Sequence, residues 1–485
     1  MNWKQILRLS GGVQSIIGAF MLIPTIIAAA NGEWASFYSF LVTLGIILVY
    51  VVVIRTIGRT WRNQSLAIRD VFMFVTLTWV VATALGALPL YLTGSTADYS
   101  SAYMEIMSGF TTTGLTTITD IEALPMSILF WRSLTHWIGG MGIVVLFVAL
   151  LPMMGAEGFQ LFGAEAVGPT KSKLVPRIKD TALILWIIYL GLTLLEVLFL
   201  IASDMPLFDA LTITFGSVAT GGFSIKNTSL AWYNSAYVEV VVTASMVLAG
   251  VNFSLYFALL RRKFRTVYKD TELRIYLMIF ACATLLATLN LYQADAYPTF
   301  GEALRHSAFQ IASIMTTTGF STVDFGVWPA FSQAILMVLM FVGGSAGSTG
   351  GGIKVTRIVT MVKLGNQNVR ALLHPKGVFP LHDERETISW KTVNSIAGFI
   401  ALYLITVLGC TLVVAFSGSD LLTAFTASLS SVGNIGLGLG EVGPTGSGFG
   451  VMPAYAKWVL SFGMLVGRLE IYTVFALFTK AFWHR

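Results

Sequence analysis

Thr111–Leu115 reads TTTGL, Thr220–Phe223 reads TGGF, Thr316–Phe320 reads TTTGF and Asn434–Leu437 reads NIGL. Aligned on glycine, the four stretches put Gly114, Gly222, Gly319 and Gly436 in register, one in each quarter of the chain. Each ends a short semi-polar segment between two long apolar runs. Irregular backbone at membrane depth is tolerated only where it is buried in protein or lines a water-filled cavity. Four such segments imply one shared cavity. Glycine admits φ > 0 and lets successive carbonyls turn to one side. A ring of carbonyl oxygens can then replace a cation's hydration shell, with threonine hydroxyls adding further oxygens. The candidate cation filter is Thr112, Thr113 and Gly114; Thr220, Gly221 and Gly222; Thr317, Thr318 and Gly319; and Asn434, Ile435 and Gly436. Small residues also serve close helix packing. One copy would not separate the two readings, but four similarly placed copies favour the filter.

The remaining composition agrees. The 485 residues are 55% hydrophobic and 11% charged, and many runs reach the ~20 apolar residues that cross a bilayer. The predicted fold is an all-α polytopic membrane protein. Four tandem helix–pore loop–helix units surround one pore, and an N-terminal helix pair is added. The net charge of +6 reflects basic loops rather than a basic domain, so the lipid bilayer is an expected partner and nucleic acid is not. Cys282 and Cys410 sit in apolar runs and imply no disulfide framework. Clustered metal ligands, a nucleophile–base pair and a cofactor motif are all lacking, which argues against an enzyme. Lys4 and Arg8 precede an apolar run that ends Ala28-Ala29-Ala30. That run is longer than the ~7–15 residues of a signal core, so a retained first helix is expected.

Taken in order, residues 1–69 form the helix pair, 70–178 unit 1, 179–271 unit 2, 272–388 unit 3 and 389–485 unit 4. The expected count is ten membrane helices, among them single helices near 234–261 and 452–481. Arg55, Arg59, Arg62 and Arg69, then Lys171, Lys173, Arg177 and Lys179, then Arg261 to Arg274, mark inside loops. Both termini fall inside, and the pore segments enter from outside. Each pore segment begins near an acid, Asp98, Asp209, Glu302 or Asp420, which suits either helix capping or cation concentration.

One helix breaks this pattern. After a short apolar run, Gly343-Gly344-Ser345-Ala346-Gly347-Ser348-Thr349-Gly350-Gly351-Gly352 cannot sustain a helix, because each glycine costs about 1 kcal/mol against alanine. A broken helix at membrane depth should line the conduction path. Gly343, Gly344, Gly347, Gly350, Gly351 and Gly352 are therefore candidate gate residues beneath the filter. Arg468 lies deep in the last apolar run, where its charge must pair with an acid or with exposed carbonyls. The glycine-rich break is its expected partner, with Glu470 the alternative. Ile353 before Lys354 excludes a Walker phosphate loop. The glycines Gly438, Gly440 and Gly443 follow no strand and are discounted as a dinucleotide fingerprint.

Together, the four loops and the segment GGSAGSTGGGIK resemble the Trk/Ktr/HKT superfamily of cation transporters over nearly the whole chain. The N-terminal helix pair and the HPKG segment at His374–Gly377 are similar to its bacterial TrkH branch. The resemblance implies potassium (K+) uptake across the bacterial inner membrane, a filter at the four glycines, and a gate at Gly343–Gly352 with Arg468 beside it. It also implies a homodimer, and cytosolic TrkA-type subunits that bind NAD and adenine nucleotides (ATP or ADP), while this chain binds no organic cofactor of its own. Basic segments such as Lys354 to Lys391 are the implied docking surface. In the plant branch, serine in the first loop accompanies sodium transport, so Gly114 favours potassium. Asn434-Ile435 in place of Thr-Thr departs from strict fourfold repetition. A proton- or sodium-coupled symporter is the alternative function. An organic-solute transporter fits less well, since it predicts matching broken helices in two repeats and the sequence suggests only one break.

Overall fold

The computed structural model describes residues 1–58, 67–150, 178–375, 377, 379–383, 386–446 and 448–483. Arg59, Arg62, Lys171, Lys173 and Arg177 lie outside the described residues. Two long helices, α1 (Trp3–Ala30) and α2 (Trp34–Ile57), open the chain. Helix α3 (Ile68–Gly86), pore helix α4 (Tyr99–Phe110) and α5 (Met126–Leu150) follow. Next come α6 (Ile178–Ile201), pore helix α7 (Leu207–Val218), α8 (Ala236–Ala249) and α9 (Phe253–Leu260). The third set is α10 (Thr271–Gln293), pore helix α11 (Phe300–Met315) and α12 (Ala330–Leu339), trailed by α13 (Val355–Leu373). The last is α14 (Trp390–Phe416), pore helix α15 (Leu421–Gly433), α16 (Ala454–Arg468) and α17 (Tyr472–Phe475). Thus part of the segment expected as a basic loop, Lys354 to Lys391, is the helix α13, joined to α14 through a two-residue antiparallel ladder, His382–Asp383 with Glu386–Thr387.

Among the described residues, six helices are long and apolar enough to cross a membrane. Two further candidates are bent pairs. Helices α8 and α9 meet at 94°, and α16 meets the segment Tyr472–Phe478 at 112°. The single helices expected near 234–261 and 452–481 are therefore each broken, and the glycine-rich break is not alone. The bend after α8 falls at Gly250-Val251-Asn252, where the Asn252 side chain caps the next helix by accepting from Ser254 N at 2.9 Å. A bend in apolar surroundings strands backbone carbonyls that must find donors. Val247 O accepts from Tyr276 OH at 3.0 Å, Leu248 O from Tyr256 OH at 2.6 Å, Ala249 O from Thr349 Oγ1 at 3.2 Å and Gly250 O from Ser345 N at 2.9 Å. Two of these donors belong to the glycine-rich segment, so the two breaks stabilise each other.

Proline sits at the N-cap of α7, α12 and α16 (Pro206, Pro329 and Pro453), where its missing N–H costs nothing. Asp98 caps α4, Thr299 caps α11, and Asp420 caps α15. Of the four acids, Asp98 and Asp420 are thus true caps. Asp209 and Glu302 lie in first turns, and Asp209 accepts instead from Tyr233 OH at 2.8 Å. Asp420 accepts from Leu422 N and Thr423 N, both at 3.1 Å. Its bonds to the side chain and backbone of Thr423 hold the carboxyl below its ordinary value. The cap is therefore at full strength above about pH 4 and weakens as pH falls through the lowered value. Asp420→Ala is expected to cost about 1 kcal/mol, read as a lower melting temperature in detergent, whereas Asp420→Asn keeps an acceptor and most of that stability.

The helix pair is tied to the first pore set. Helix α1 packs against α2, α3 and α5. Glu33, between α1 and α2, accepts from Met126 N at 2.8 Å and Ser127 N at 3.1 Å, which satisfies the start of α5. Three of the pore helices pack against a neighbouring unit: α7 contacts α5, α11 contacts α8, and α4 contacts α16 from the far end of the chain.

Candidate filter and the loop beneath it

Each pore helix ends the same way. Thr112, Thr220, Thr317 and Asn434 have φ of 51°, 53°, 59° and 53°. Their amides reach back to Gly109 O, Ser217 O, Ile314 O and Ser431 O at 3.0–3.2 Å. The next amides, from Thr113, Gly221, Thr318 and Ile435, bond Ser108 O, Gly216 O, Ser313 O and Ser430 O at 2.7–2.9 Å. This double closure is the Schellman motif, whose left-handed residue is ordinarily glycine or asparagine. Three of the four loops place β-branched threonine there, an uncommon conformation for that residue type. Two residues further on, the glycines take φ of 87°, 77°, 85° and 96° at Gly114, Gly222, Gly319 and Gly436.

The four loops close a ring in chain order. A Cβ on Gly114 would strike the carbonyl oxygen of Gly221, one on Gly222 that of Thr318, and one on Gly319 that of Ile435. A Cβ on Gly436 would lie 2.5 Å from Thr113 O, and 3.3 Å from the Cα atoms of both Gly114 and Gly319. Every predicted filter residue is therefore brought to one place, and each loop's glycine faces the carbonyl of the next loop.

The departure at Asn434-Ile435 leaves the backbone repeat intact and changes the side chains. In loops 1 and 3 a hydroxyl pair braces the turn: Thr111 Oγ1 to Thr113 Oγ1, and Thr316 Oγ1 to Thr318 Oγ1, both 2.7 Å. Loop 4 has no such pair. Asn434 instead donates to Thr113 Oγ1 at 2.9 Å and Met464 O at 3.0 Å, tying the last loop to the first.

The glycine-rich segment lies against the C-terminal ends of the pore helices. A Cβ on Gly350 would lie 2.9 Å from Thr316 O, and one on Gly351 2.5 Å from Gly433 O. Gly351 N donates to Thr317 Oγ1 at 2.7 Å, and Thr349 Oγ1 donates to Val218 O at 3.2 Å. The segment thereby touches loops 2, 3 and 4. Its ends are pinned by a bridge between Val342 and Ile353. Glu272 fastens it from α10, accepting from Ala346 N at 2.8 Å and Thr356 N at 3.1 Å. Lys354 Nζ donates back to Gly350 O and to Gly351 O.

Arg468 is the last residue of α16 and is buried. It donates from NH1 to Thr349 O at 2.7 Å and from NH2 to Gly139 O at 3.1 Å. The charge thus meets the glycine-rich segment on one side and α5 on the other. Glu470, the alternative partner, pairs with Arg357 instead.

Sequence reasoning missed a second layer of residues behind the loops. Glu105 and Arg132 form a fully buried pair, with Arg132 NH2 2.7 Å from Glu105 Oε1. His136 accepts from Phe223 N at Nε2 (3.1 Å), so its Nδ1 donates to Gly109 O at 2.8 Å. This arrangement requires a neutral ring carrying its proton on Nδ1. Glu272, the anchor of the glycine-rich segment, was also unmarked. The only available signal was a charge of either sign inside membrane-depth sequence, where such residues need partners. No group of His, Cys, Asp and Glu able to hold a metal ion occurs among the described residues.

Comparison with known proteins places the chain among transporters rather than enzymes. The family model described as TrkH, cation transport protein, matches residues 39–485. The chain is 39% identical to the Trk system potassium uptake protein TrkH of Halomonas elongata, over the full length of both. It is 35% identical to the protein of that name from Salmonella typhimurium, again over the full length of both. The crystal structure of the potassium transporter TrkH from Vibrio parahaemolyticus superposes with a TM-score of 0.89 at 33% identity, covering both chains completely.

Proposed function

The chain belongs to the TrkH family of cation transport proteins, and on that premise we propose that it carries potassium into a bacterial cell across the inner membrane by a channel-like route. The carrying observation is the closed ring of four loops, in which the glycine of each faces the carbonyl of the next. Such a ring suits a dehydrated monovalent cation held by backbone oxygens. The filter residues are Thr112 to Gly114, Thr220 to Gly222, Thr317 to Gly319 and Asn434 to Gly436. Units 70–178, 179–271, 272–388 and 389–485 each supply one loop, and the helix pair α1 and α2 of the 1–69 unit buttresses the first.

In this reading Gly343–Gly352 is the gate and Arg468 its latch, a positive charge that opposes cation passage while the loop is in place. Both termini are cytoplasmic, which puts α13 on the inner side. The relatives are named as parts of a Trk system, which supports partner subunits; in this reading the chain is a homodimer and the partners are cytosolic TrkA-type nucleotide-binding subunits. The exposed Val362, Val369, Leu372 and Leu373 of α13 offer such a subunit apolar contacts.

The test is ion flux through purified protein in liposomes. Passive flux down its own gradient, faster for potassium than for sodium, is expected. Flux that requires a proton or sodium gradient would replace the channel-like reading with symport. A folded protein that moves neither cation would overturn both.

A further inference from the structure

Arg132 and His136 stand one turn apart on α5, so both face the same way. Both reach the same target. Arg132 NH1 donates to Ser224 O at 3.2 Å, and its guanidinium lies 4.3 Å from the centre of the Phe223 ring. The His136 ring accepts from Phe223 N and lies 4.1 Å, centre to centre, from the same phenyl ring. Phe223 and Ser224 directly follow Gly222, so this face of α5 holds the exit of loop 2.

The other side of the pair holds the exit of loop 1. Glu105 Oε2 accepts from Thr117 N at 2.7 Å and Thr117 Oγ1 at 3.1 Å. Glu105 Oε1 accepts from Thr116 Oγ1 at 2.9 Å, Arg132 Nε at 2.9 Å and Arg132 NH2 at 2.7 Å. Thr116 and Thr117 lie just beyond Gly114 and Leu115. His136 also binds Gly109 O, the carbonyl that closes the Schellman turn of loop 1. The connected set therefore runs from one loop exit, through a buried carboxylate and guanidinium, to the next.

The junction of units 2 and 3 also joins an acid, a guanidinium and an imidazole, with Glu239 3.1 Å from Arg305 and 3.7 Å from His306, but there the arginine is partly exposed, whereas Glu105 and Arg132 are fully buried. Loops 4 and 1 are joined through Asn434, and the exit of loop 3 meets unit 2 through Leu230 N to Ser321 O at 3.0 Å. A buried ion pair is poor at adding stability, because desolvating both charges offsets their attraction. A fully satisfied one is good at fixing geometry. That balance suits a spacer better than a staple.

We propose that Glu105, Arg132 and His136 are positioning residues that set the distance between loops 1 and 2, and through it the potassium-over-sodium preference. The inference rests on the potassium-filter reading and adds residues that do not touch the ion. Removing one charge alone leaves the other buried and unpaired, which endangers folding. The deciding variant is therefore the double neutral change Glu105→Gln with Arg132→Gln, accompanied by the single change His136→Gln. Each is reconstituted in liposomes beside the Gly319→Ser protein. Potassium and sodium fluxes are measured, and melting temperature is followed separately.

The expected result is a fall of about tenfold in the potassium-to-sodium ratio of the double variant, equal to about 1.4 kcal/mol. Total cation flux should persist. A purely structural role would lower the melting temperature and leave the ratio unchanged, which would overturn the clamp. If the ratio is unchanged in the clamp variants but falls in Gly319→Ser, the clamp fails and the filter reading stands. If it is unchanged in all of them, both fail. If the double variant does not fold, His136→Gln decides, since it removes no charge: an altered ratio supports the clamp, and an unaltered one overturns it.

Discussion

Gly319→Ser is expected to reduce the potassium-over-sodium flux ratio by about tenfold or more, equal to at least about 1.4 kcal/mol of lost discrimination. Two costs combine at this position. The backbone stands at φ 85°, a region that costs an L-residue roughly 1–2 kcal/mol. The added Cβ would also strike Ile435 O and lie 3.1 Å from Gly436 Cα. Loop 4 has little freedom to retreat, since Ile435 N is tied to Ser430 O at 2.9 Å and Gly436 N to Ser430 Oγ at 3.0 Å. The strain therefore falls on the carbonyls that would replace the ion's water shell. Gly409→Ala is the control, because nothing lies within 4 Å of a Cβ there. Its ion ratio should match the unaltered protein. Unchanged ratios in folded Gly319→Ser protein would remove these residues from the filter.

The loops were legible because their chemistry is local. A Schellman end and a positive-φ glycine are written in four or five consecutive residues, and the copies align with one another. Arg468 was legible for a related reason: an arginine at membrane depth must find carbonyls, and the glycine-rich segment supplied them. The breaks after Ala249 and Arg468 were not legible. Only Gly250 and a capping Asn252 mark the first in sequence, and its stranded carbonyls are met by Tyr256, Tyr276, Ser345 and Thr349. Those last three donors lie far along the chain, so no local window reveals that the bend is affordable. Counting breaks was consequently a weak argument against a solute transporter, and the ring of four loops is the stronger one. Loop 4 shows the converse. Its side chains looked divergent, yet asparagine is among the residues best suited to the left-handed position. The backbone repeat therefore survives a change that the letters seemed to break. Glu105 and Arg132 were passed over because each reads alone as an ordinary polar interruption, and only the fold joins them.

Arg468→Ala is expected to raise basal potassium flux by about 30-fold without the cytosolic partner. The guanidinium makes two charge-assisted bonds, to Thr349 O and Gly139 O, so it fastens the glycine-rich segment to α5. Hydrogen bonds to charged groups contribute roughly 1.5–3 kcal/mol each, and water restores part of that once the side chain is gone. A net loss near 2 kcal/mol shifts a closed-to-open ratio by about 30-fold. On the proposed gate reading, the same change also removes a positive charge that would oppose cation passage, so both effects would act in one direction. Arg468→Lys should fall between, since an ammonium keeps the charge but not the planar fork that reaches two carbonyls at once. Shortening Ser345–Gly351 should open the path by a different route. It removes the contacts of Thr349 and Gly351 with Val218 and Thr317, and with Thr349 the carbonyl that Arg468 holds, while keeping the Arg468 charge and its bond to Gly139 O. Agreement between the point change and the deletion would locate the barrier in the segment itself. A folded Arg468→Ala protein with unaltered basal flux would limit the arginine to a structural role. If the deletion were equally silent, the gate would have to lie elsewhere along the path.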